Sequence, residues 1–258
     1  MEMISVDGVQ LETRFIPGSD ALAPLVFLHE GLGSVSMWQT KQNDWPLAVS
    51  RASGRSAWVY SRKGYGQSDS IKDVRGKNRL TPNYMHLHAW ETLPALLAKL
   101  NADKPILIGH SDGGSIALLH AARHPVTAVV AMAPHLFVEE MTLTAIEAAK
   151  QAYLSTDLRS RLSRFHKDVD CAFWQWNDIW LSPEFRDFDI RFECLDIHAP
   201  VLGLQGEDDA YGSLRHILEL KTRGQTSHVV LKNCGHSPHK DQYEASLLAV
   251  TDFLRALP

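Results

Sequence analysis

ILIGHSDGGSIALLHAA, residues 106–122, runs a four-residue apolar segment straight into Gly109-His110-Ser111-Asp112-Gly113 and then into a helix-like apolar repeat. This is G-x-S-x-G in the strand, turn and helix setting that gives the pattern its meaning. The residue types have a steric reason. A serine at so sharp a turn sits in a strained backbone, and glycines on either side let strand and helix approach without side-chain collision. The spacing therefore places Ser111 above a strand end, with its hydroxyl at the start of a helix. An incidental serine in a chance five-residue match is the weaker reading, because Gly114 and a flanking strand and helix accompany it.

Working outward, similar short apolar runs recur: LVFLH at 25–29, AWVY at 57–60, TAVVAM at 127–132, VLGLQ at 201–205 and HVVLK at 228–232. Runs this short and apolar suit strands buried on both faces. Helix-like stretches fall between them, such as MHLHAWETLPALLAKL before the 106 strand. The alternation predicts an α/β fold, a mostly parallel central sheet flanked by helices. At the N-terminus, alternating segments around Ile4–Val6 and Val9–Phe15 flank Asp7-Gly8, which predicts an antiparallel hairpin at the sheet edge. Between 136 and 196 the regularity gives way to helical patterns carrying eight aromatic residues from Phe165 to Phe192. We expect one α/β core, 1–135 and 197–258, with a helical cap insertion at 136–196.

Composition narrows the function classes. A chain of 258 residues with 45% hydrophobic and 22% charged residues supports one large buried core. A formal charge of −4 offers no positive field for phosphates or anionic lipid, so nucleic acid and membrane are not expected partners. Cys171, Cys194 and Cys234 show no metal-ligand spacing and, being odd in number, no disulfide framework. With no signal-like or bilayer-length apolar stretch near the N-terminus, a cytoplasmic protein is expected.

A serine hydroxyl is a weak nucleophile and needs a base. Of thirteen histidines, His236 follows a strand end and a glycine on a loop that could swing to the serine, with His239 as the local competitor. His86, His88, His120, His124 and His216 sit in helix-like patterns and read as packing or surface residues. The imidazole in turn needs a carboxylate to orient it. Gln205-Gly206-Glu207-Asp208-Asp209 follows a strand between Ser111 and His236; a solvated acidic turn is the plainer reading of such a loop taken alone. Asp209, third after Gly206, is preferred and Asp208 is the alternative. An oxyanion needs two converging backbone N–H groups. Asp112 N–H follows the serine, and Leu32 N–H lies on the turn His29-Glu30-Gly31-Leu32-Gly33-Ser34. Neither GxGxxG nor GxxxxGK[ST] is present, which ranks phosphate binding at that turn low.

With these residues in hand, the chain resembles the α/β-hydrolase superfamily, in its serine-nucleophile, esterase-like branch with a helical cap. The loop after the first buried strand, the GHSDGG elbow, the GEDD loop and the CGHS histidine stand in the family's order from about Val9 onward. Ser61-Arg62-Lys63-Gly64-Tyr65-Gly66-Gln67-Ser68 is similar to another turn of that superfamily, with Lys63 intervening. Glu30, where many relatives have His-Gly adjacent, and Asp112, where many carry an apolar residue, are further departures. Glu30 is read as part of a structural network, and a charge at Asp112 as able to alter substrate preference.

The resemblance implies a cofactor-free hydrolase that opens the carboxylic ester, or related acyl bond, of a small apolar or aromatic molecule through an acyl-enzyme. Relatives that open epoxides or carbon–halogen bonds carry an aspartate at the elbow, so Ser111 argues against both. A carbon–carbon hydrolase of ring-cleavage products, a thioesterase and an acyltransferase are the enzymatic alternatives. A small-molecule receptor on the same fold is the non-enzymatic one. The aromatic insertion is expected to contribute two or three rings to a substrate pocket, the others forming its own core. The basic run Arg159, Arg161, Arg164, His166 and Lys167 reads as a solvated face.

Overall fold

The computed structural model describes residues 1–257. Eight strands form one sheet in the order β1-β2-β4-β3-β5-β6-β7-β8. They are β1 Glu2–Val6, β2 Val9–Ile16, β3 Leu25–Leu28, β4 Ala57–Tyr60, β5 Ile106–His110, β6 Ala128–Met132, β7 Val201–Gly206 and β8 Thr226–Leu231. β2 runs antiparallel to both β1 and β4, and every pairing from β4 through β8 is parallel. The Asp7-Gly8 turn has φ of 49° and 81°, the left-handed pair that closes a two-residue hairpin.

The helices are α1 Trp45–Ser53, α2 Tyr84–Leu87, α3 Leu93–Lys99, α4 Asp112–Ala121, α5 Glu140–Ser155, α6 Leu158–Leu162, α7 Val169–Trp180, α8 Arg191–Cys194, α9 Arg215–Leu218, α10 Pro238–Asp241 and α11 Tyr243–Arg255. A π-helical turn, His88–Thr92, joins α2 to α3. Local chemistry sets several ends. Asp44 caps α1 by accepting from Leu47 N–H, and Gly54 closes it in the left-handed region. Asp168 caps α7 through Cys171 N–H.

Alternation along the strands divides the core into two layers. Val26, Leu28 and Leu107 pack with Met85, Leu93 and Leu119 on one face, where α2, α3 and α4 lie. Leu25, Phe27, Ile106 and Ile108 pack with Trp45, Val49, Val250 and Leu254 on the other, against α1 and α11. Each such fully buried aliphatic side chain contributes roughly 1.5–3 kcal/mol. Covering both faces explains why the central strands read as unbroken apolar runs.

α5 to α8 all lie between β6 and β7. Their aromatics pack largely on one another: Tyr153 stacks on Phe173 at 3.7 Å and Phe185 on Phe188 at 4.8 Å between ring centres. The segment is tied at its base, where Ile190 N–H donates to Leu136 O at 2.7 Å and Phe137 bridges Asp189. Phe192 stands apart, 79% exposed. Among the described residues, no helix is long and apolar enough to cross a membrane.

Candidate active site

β5 delivers Ser111 at its C-terminal end with φ 54° and ψ −121°, a left-handed conformation costing a non-glycine residue on the order of 1–3 kcal/mol. The flanking glycines are obligatory on contact grounds. A Cβ on Gly109 would lie 2.1 Å from Gly113 O, and one on Gly113 would lie 2.1 Å from Leu28 O. Close approach of β5, α4 and β3 is what presents the hydroxyl.

β7 and β8 bring the other two predicted residues to the same place. His236 Nε2 lies 2.9 Å from Ser111 Oγ, and His236 Nδ1 lies 2.8 and 3.0 Å from the two Asp209 oxygens. Asp209 is buried and accepts further bonds from Gln205 Nε2 at 2.7 Å and Tyr211 N–H at 2.8 Å. Asp208, the alternative, is exposed. His110 Nε2 lies 2.6 Å from His236 O and fixes the loop that carries the histidine. His239 is buried instead beside Trp38 and His110, with ring centres 5.0 and 4.9 Å away.

In the turn after β3, Gly33 N–H bonds to Glu30 O at 3.1 Å, leaving Leu32 N–H outside that bond. The turn is braced twice. Arg62 donates from Nη1 to His29 O and from Nη2 to Glu30 O at 2.9 Å. His166 Nδ1 accepts Gly66 N–H at 3.0 Å while Nε2 donates to Leu32 O at 3.0 Å. His166 is buried, so one member of the basic run is an internal brace. Arg159 and Arg161 do pair with Asp170 and Asp157 at the surface.

The two departures also have places. Glu30 Oε2 lies 3.4 Å from His110 Nδ1, and Glu30 Oε1 lies 3.8 Å from Lys240 Nζ. Burial pushes the Glu30 carboxyl up, but Lys240 and His110 outweigh it and hold it well below the usual range. The Asp112 side chain accepts from Tyr84 Oη at 2.7 Å and Trp180 Nε1 at 3.3 Å, with Arg62 at 4.0 Å. Burial raises its carboxyl against the pull of Arg62 and Tyr84. Its carboxyl is thus engaged in a buried network while its backbone N–H begins α4.

Sequence reasoning missed His135, which follows β6 on the strand next to β5. Its Nε2 lies 3.3 Å from Ser111 Oγ. Burial, then the neighbouring His216 and His236, hold its imidazole well below the ordinary histidine value, so the ring is neutral. His216 is buried beside it, ring centres 5.3 Å apart.

These residues open onto a cavity of about 220 Å³ whose walls include Leu32, His135, Ile146, Trp176, Trp180 and Tyr211. Trp176 and Trp180 are thus the two rings of the eight that line it. Among the described residues, no group of three His, Cys, Asp or Glu side chains is placed to hold a metal ion.

A serine at a strained strand-to-helix turn, facing histidine and aspartate on later strand ends of an eight-stranded, mostly parallel sheet, defines the class. The chain belongs to the alpha/beta hydrolase family, whose model matches residues 25–247. It is similar to the AB hydrolase superfamily protein YisY of Bacillus subtilis (strain 168), 25% identical over 90% of this chain and 91% of that protein. It is also similar to the bifunctional esterase/perhydrolase DCH of Acinetobacter calcoaceticus, 21% identical over 82% of this chain and 81% of that one. Among solved structures, the enol-lactonase from Burkholderia xenovorans LB400 superposes with a TM-score of 0.72, at 20% identity over 98% of this chain and 100% of that chain. Family and relatives together support a hydrolase.

Proposed function

We propose that this chain hydrolyses a carboxylic ester, or a closely related acyl bond, of a small apolar or aromatic molecule. The observation that carries the reading is the continuous run of contacts from Asp209 through His236 to Ser111, ending in an aromatic-walled cavity. Ser111 is the nucleophile, His236 the base and Asp209 the group that fixes the imidazole and balances the charge it gains. Leu32 and Asp112 N–H are the oxyanion donors; losing one donor in such sites costs on the order of 3 kcal/mol in the barrier. Residues 1–135 and 197–258 act as the core, with 136–196 as the cap that supplies Trp176 and Trp180.

In the cycle, Ser111 Oγ gives its proton to His236 Nε2 as it attacks the acyl carbon. The tetrahedral intermediate collapses with the leaving oxygen taking that proton. Water then attacks the acyl-enzyme, losing a proton to His236, and the second collapse returns the proton to Oγ. Besides that water, the proposed cycle draws on side chains and backbone of this chain. A cavity of about 220 Å³ lies below the span common for drug-sized ligands, roughly 300–1,000 Å³, which supports a small substrate. The names of the esterase/perhydrolase relative and of the enol-lactonase sharing the fold agree with it.

The test is turnover of short-acyl and aromatic p-nitrophenyl esters by wild type and Ser111→Ala, beside thioesters and a dienol-keto acid. Ester turnover that vanishes with Ser111 is expected. Turnover of the keto acid alone would replace the ester reading with carbon–carbon cleavage.

A further inference from the structure

Ser111 Oγ has two histidine nitrogens within reach, and the proposed cycle uses one. We propose that His135 is a second catalytic histidine, a fixed hydrogen-bond donor to Ser111 Oγ that speeds breakdown of the acyl-enzyme rather than its formation. This rests on the acyl-enzyme reading above.

The proton inventory sets the direction of the bond. His236 Nδ1 faces only the Asp209 oxygens, so that nitrogen carries the proton and Nε2 is the acceptor. The single proton of Ser111 Oγ goes to His236 Nε2 at 2.9 Å. Only lone pairs of Oγ then remain for His135 Nε2 at 3.3 Å, which makes His135 the donor. His135 Nδ1 is left bare, and it is buried with no hydrogen-bond partner.

The ring has no freedom to leave. Its backbone N–H donates to Ser115 Oγ at 2.9 Å, and the same hydroxyl donates to His135 O at 2.7 Å. Trp180 packs edge-on at 4.8 Å between ring centres. His216 packs at 5.3 Å and is itself pinned, accepting Leu136 N–H at 3.1 Å with Glu139 Oε2 3.0 Å from its other nitrogen.

A fixed donor at Oγ acts unequally on the two halves of the cycle. In the free enzyme Oγ is a hydroxyl oxygen and a good acceptor; in the acyl-enzyme it is the alkyl oxygen of an ester and a poor one. The bond to His135 therefore favours free enzyme over acyl-enzyme. During deacylation the C–Oγ bond breaks, its electron pair stays on Oγ, and the proton arrives from His236 Nε2. A neighbouring N–H grips that developing charge harder than it grips the ester, which is differential stabilisation of the transition state. Attack passes through the mirror image of that transition state but starts from a hydroxyl that His135 already holds, so acylation gains far less from the bond.

The experiment compares wild type, His135→Met, which removes the donor at similar length, and His135→Gln, which keeps an N–H near the Nε2 position. Stopped-flow release of p-nitrophenol from p-nitrophenyl acetate gives acylation and deacylation rates, and mass spectrometry of quenched mixtures gives the acylated fraction. Labelling by a fluorophosphonate and the melting temperature report an intact site and fold. In His135→Met we expect an unchanged or faster burst, a steady-state rate lower by about tenfold, as one hydrogen bond can supply, and a larger acylated fraction; His135→Gln recovers most of the rate. A His135→Met that deacylates at the wild-type rate, or whose burst and steady state fall together, overturns the proposal. So does a His135→Gln no better than His135→Met. If His135→Met does not fold, His135→Leu takes its place: an acylated fraction raised above that of His135→Gln supports the donor role, and an equal fraction in the two variants contradicts it. Wild type that never forms a phosphonate adduct would sink the acyl-enzyme reading itself, a result separate from any difference between the variants.

Discussion

Replacing Asp209 by asparagine should nearly abolish turnover, and the same change at Asp208 should not. Every hydrogen-bonding neighbour of the Asp209 carboxylate is a donor: His236 Nδ1 at 2.8 Å, Gln205 Nε2 at 2.7 Å and Tyr211 N–H at 2.8 Å. An asparagine must turn its NH₂ toward at least one of them, and if the histidine is the one, its proton moves to Nε2 and it can no longer accept from Ser111. Loss of the charge also leaves the imidazolium of the transition state unbalanced. Together these predict a fall in kcat on the order of 10⁴-fold, the size known for a triad aspartate changed to asparagine. The mispaired donors should cost folding stability about 1–3 kcal/mol. Asp208 is exposed, so Asp208→Asn should stay within about 0.5 kcal/mol of wild type and keep its rate. The assay is kcat on p-nitrophenyl acetate for both variants, with urea unfolding alongside. Asp209→Asn within tenfold of wild type, or Asp208→Asn equally impaired, would refute the assignment of the acid.

Further outcomes follow from the half-buried His88 and the buried His120. Burial holds His88 down to about 3 and His120 down to about 4, while unfolded histidines titrate near 6.5. Below that value the unfolded chain binds protons that the folded one refuses, so stability is full above about pH 6.5 and falls as pH drops. Each such histidine removes about 1.4 kcal/mol per pH unit until its folded value is reached. Urea unfolding at pH 7, 6 and 5 checks this, and a flat profile would contradict it. His166→Phe removes the link between Gly66 N–H and Leu32 O; a stability loss of about 1–3 kcal/mol with a lower kcat on p-nitrophenyl acetate is expected, and an unchanged kcat would deny this brace any part in holding Leu32 N–H in the proposed oxyanion hole.

What the sequence disclosed depended on how local the signal was. Buried parallel strands are short apolar runs, and the ends read from the sequence fall within two residues of β3 to β8. The elbow was legible because Gly109 and Gly113 answer to contacts with their own segment and with Leu28. Asp209 and Asp208 could be ranked only by distance from a glycine, since burial of one and exposure of the other come from packing against Tyr211 and Gln205. His135 belongs to no motif. Its approach to Ser111 comes from the β5–β6 pairing, in which Ser111 N–H donates to Met132 O at 2.9 Å, and from the left-handed turn at Ala133, φ 45°. The available signal was topological: residues just past the strand beside β5 must flank the serine. His166 was hidden because a run of arginines reads as a solvated face even when one member turns inward. His216, read as a packing residue, does pack, but against His135.

The central claim is that Ser111 attacks the substrate. Incubating wild type with a fluorophosphonate, digesting it and mapping the adduct by tandem mass spectrometry tests this most directly. One stoichiometric adduct on Ser111 is expected, blocked by prior incubation with a turned-over ester and absent from Ser111→Ala. An adduct on another residue, or an unlabelled wild type that still hydrolyses esters, would contradict it.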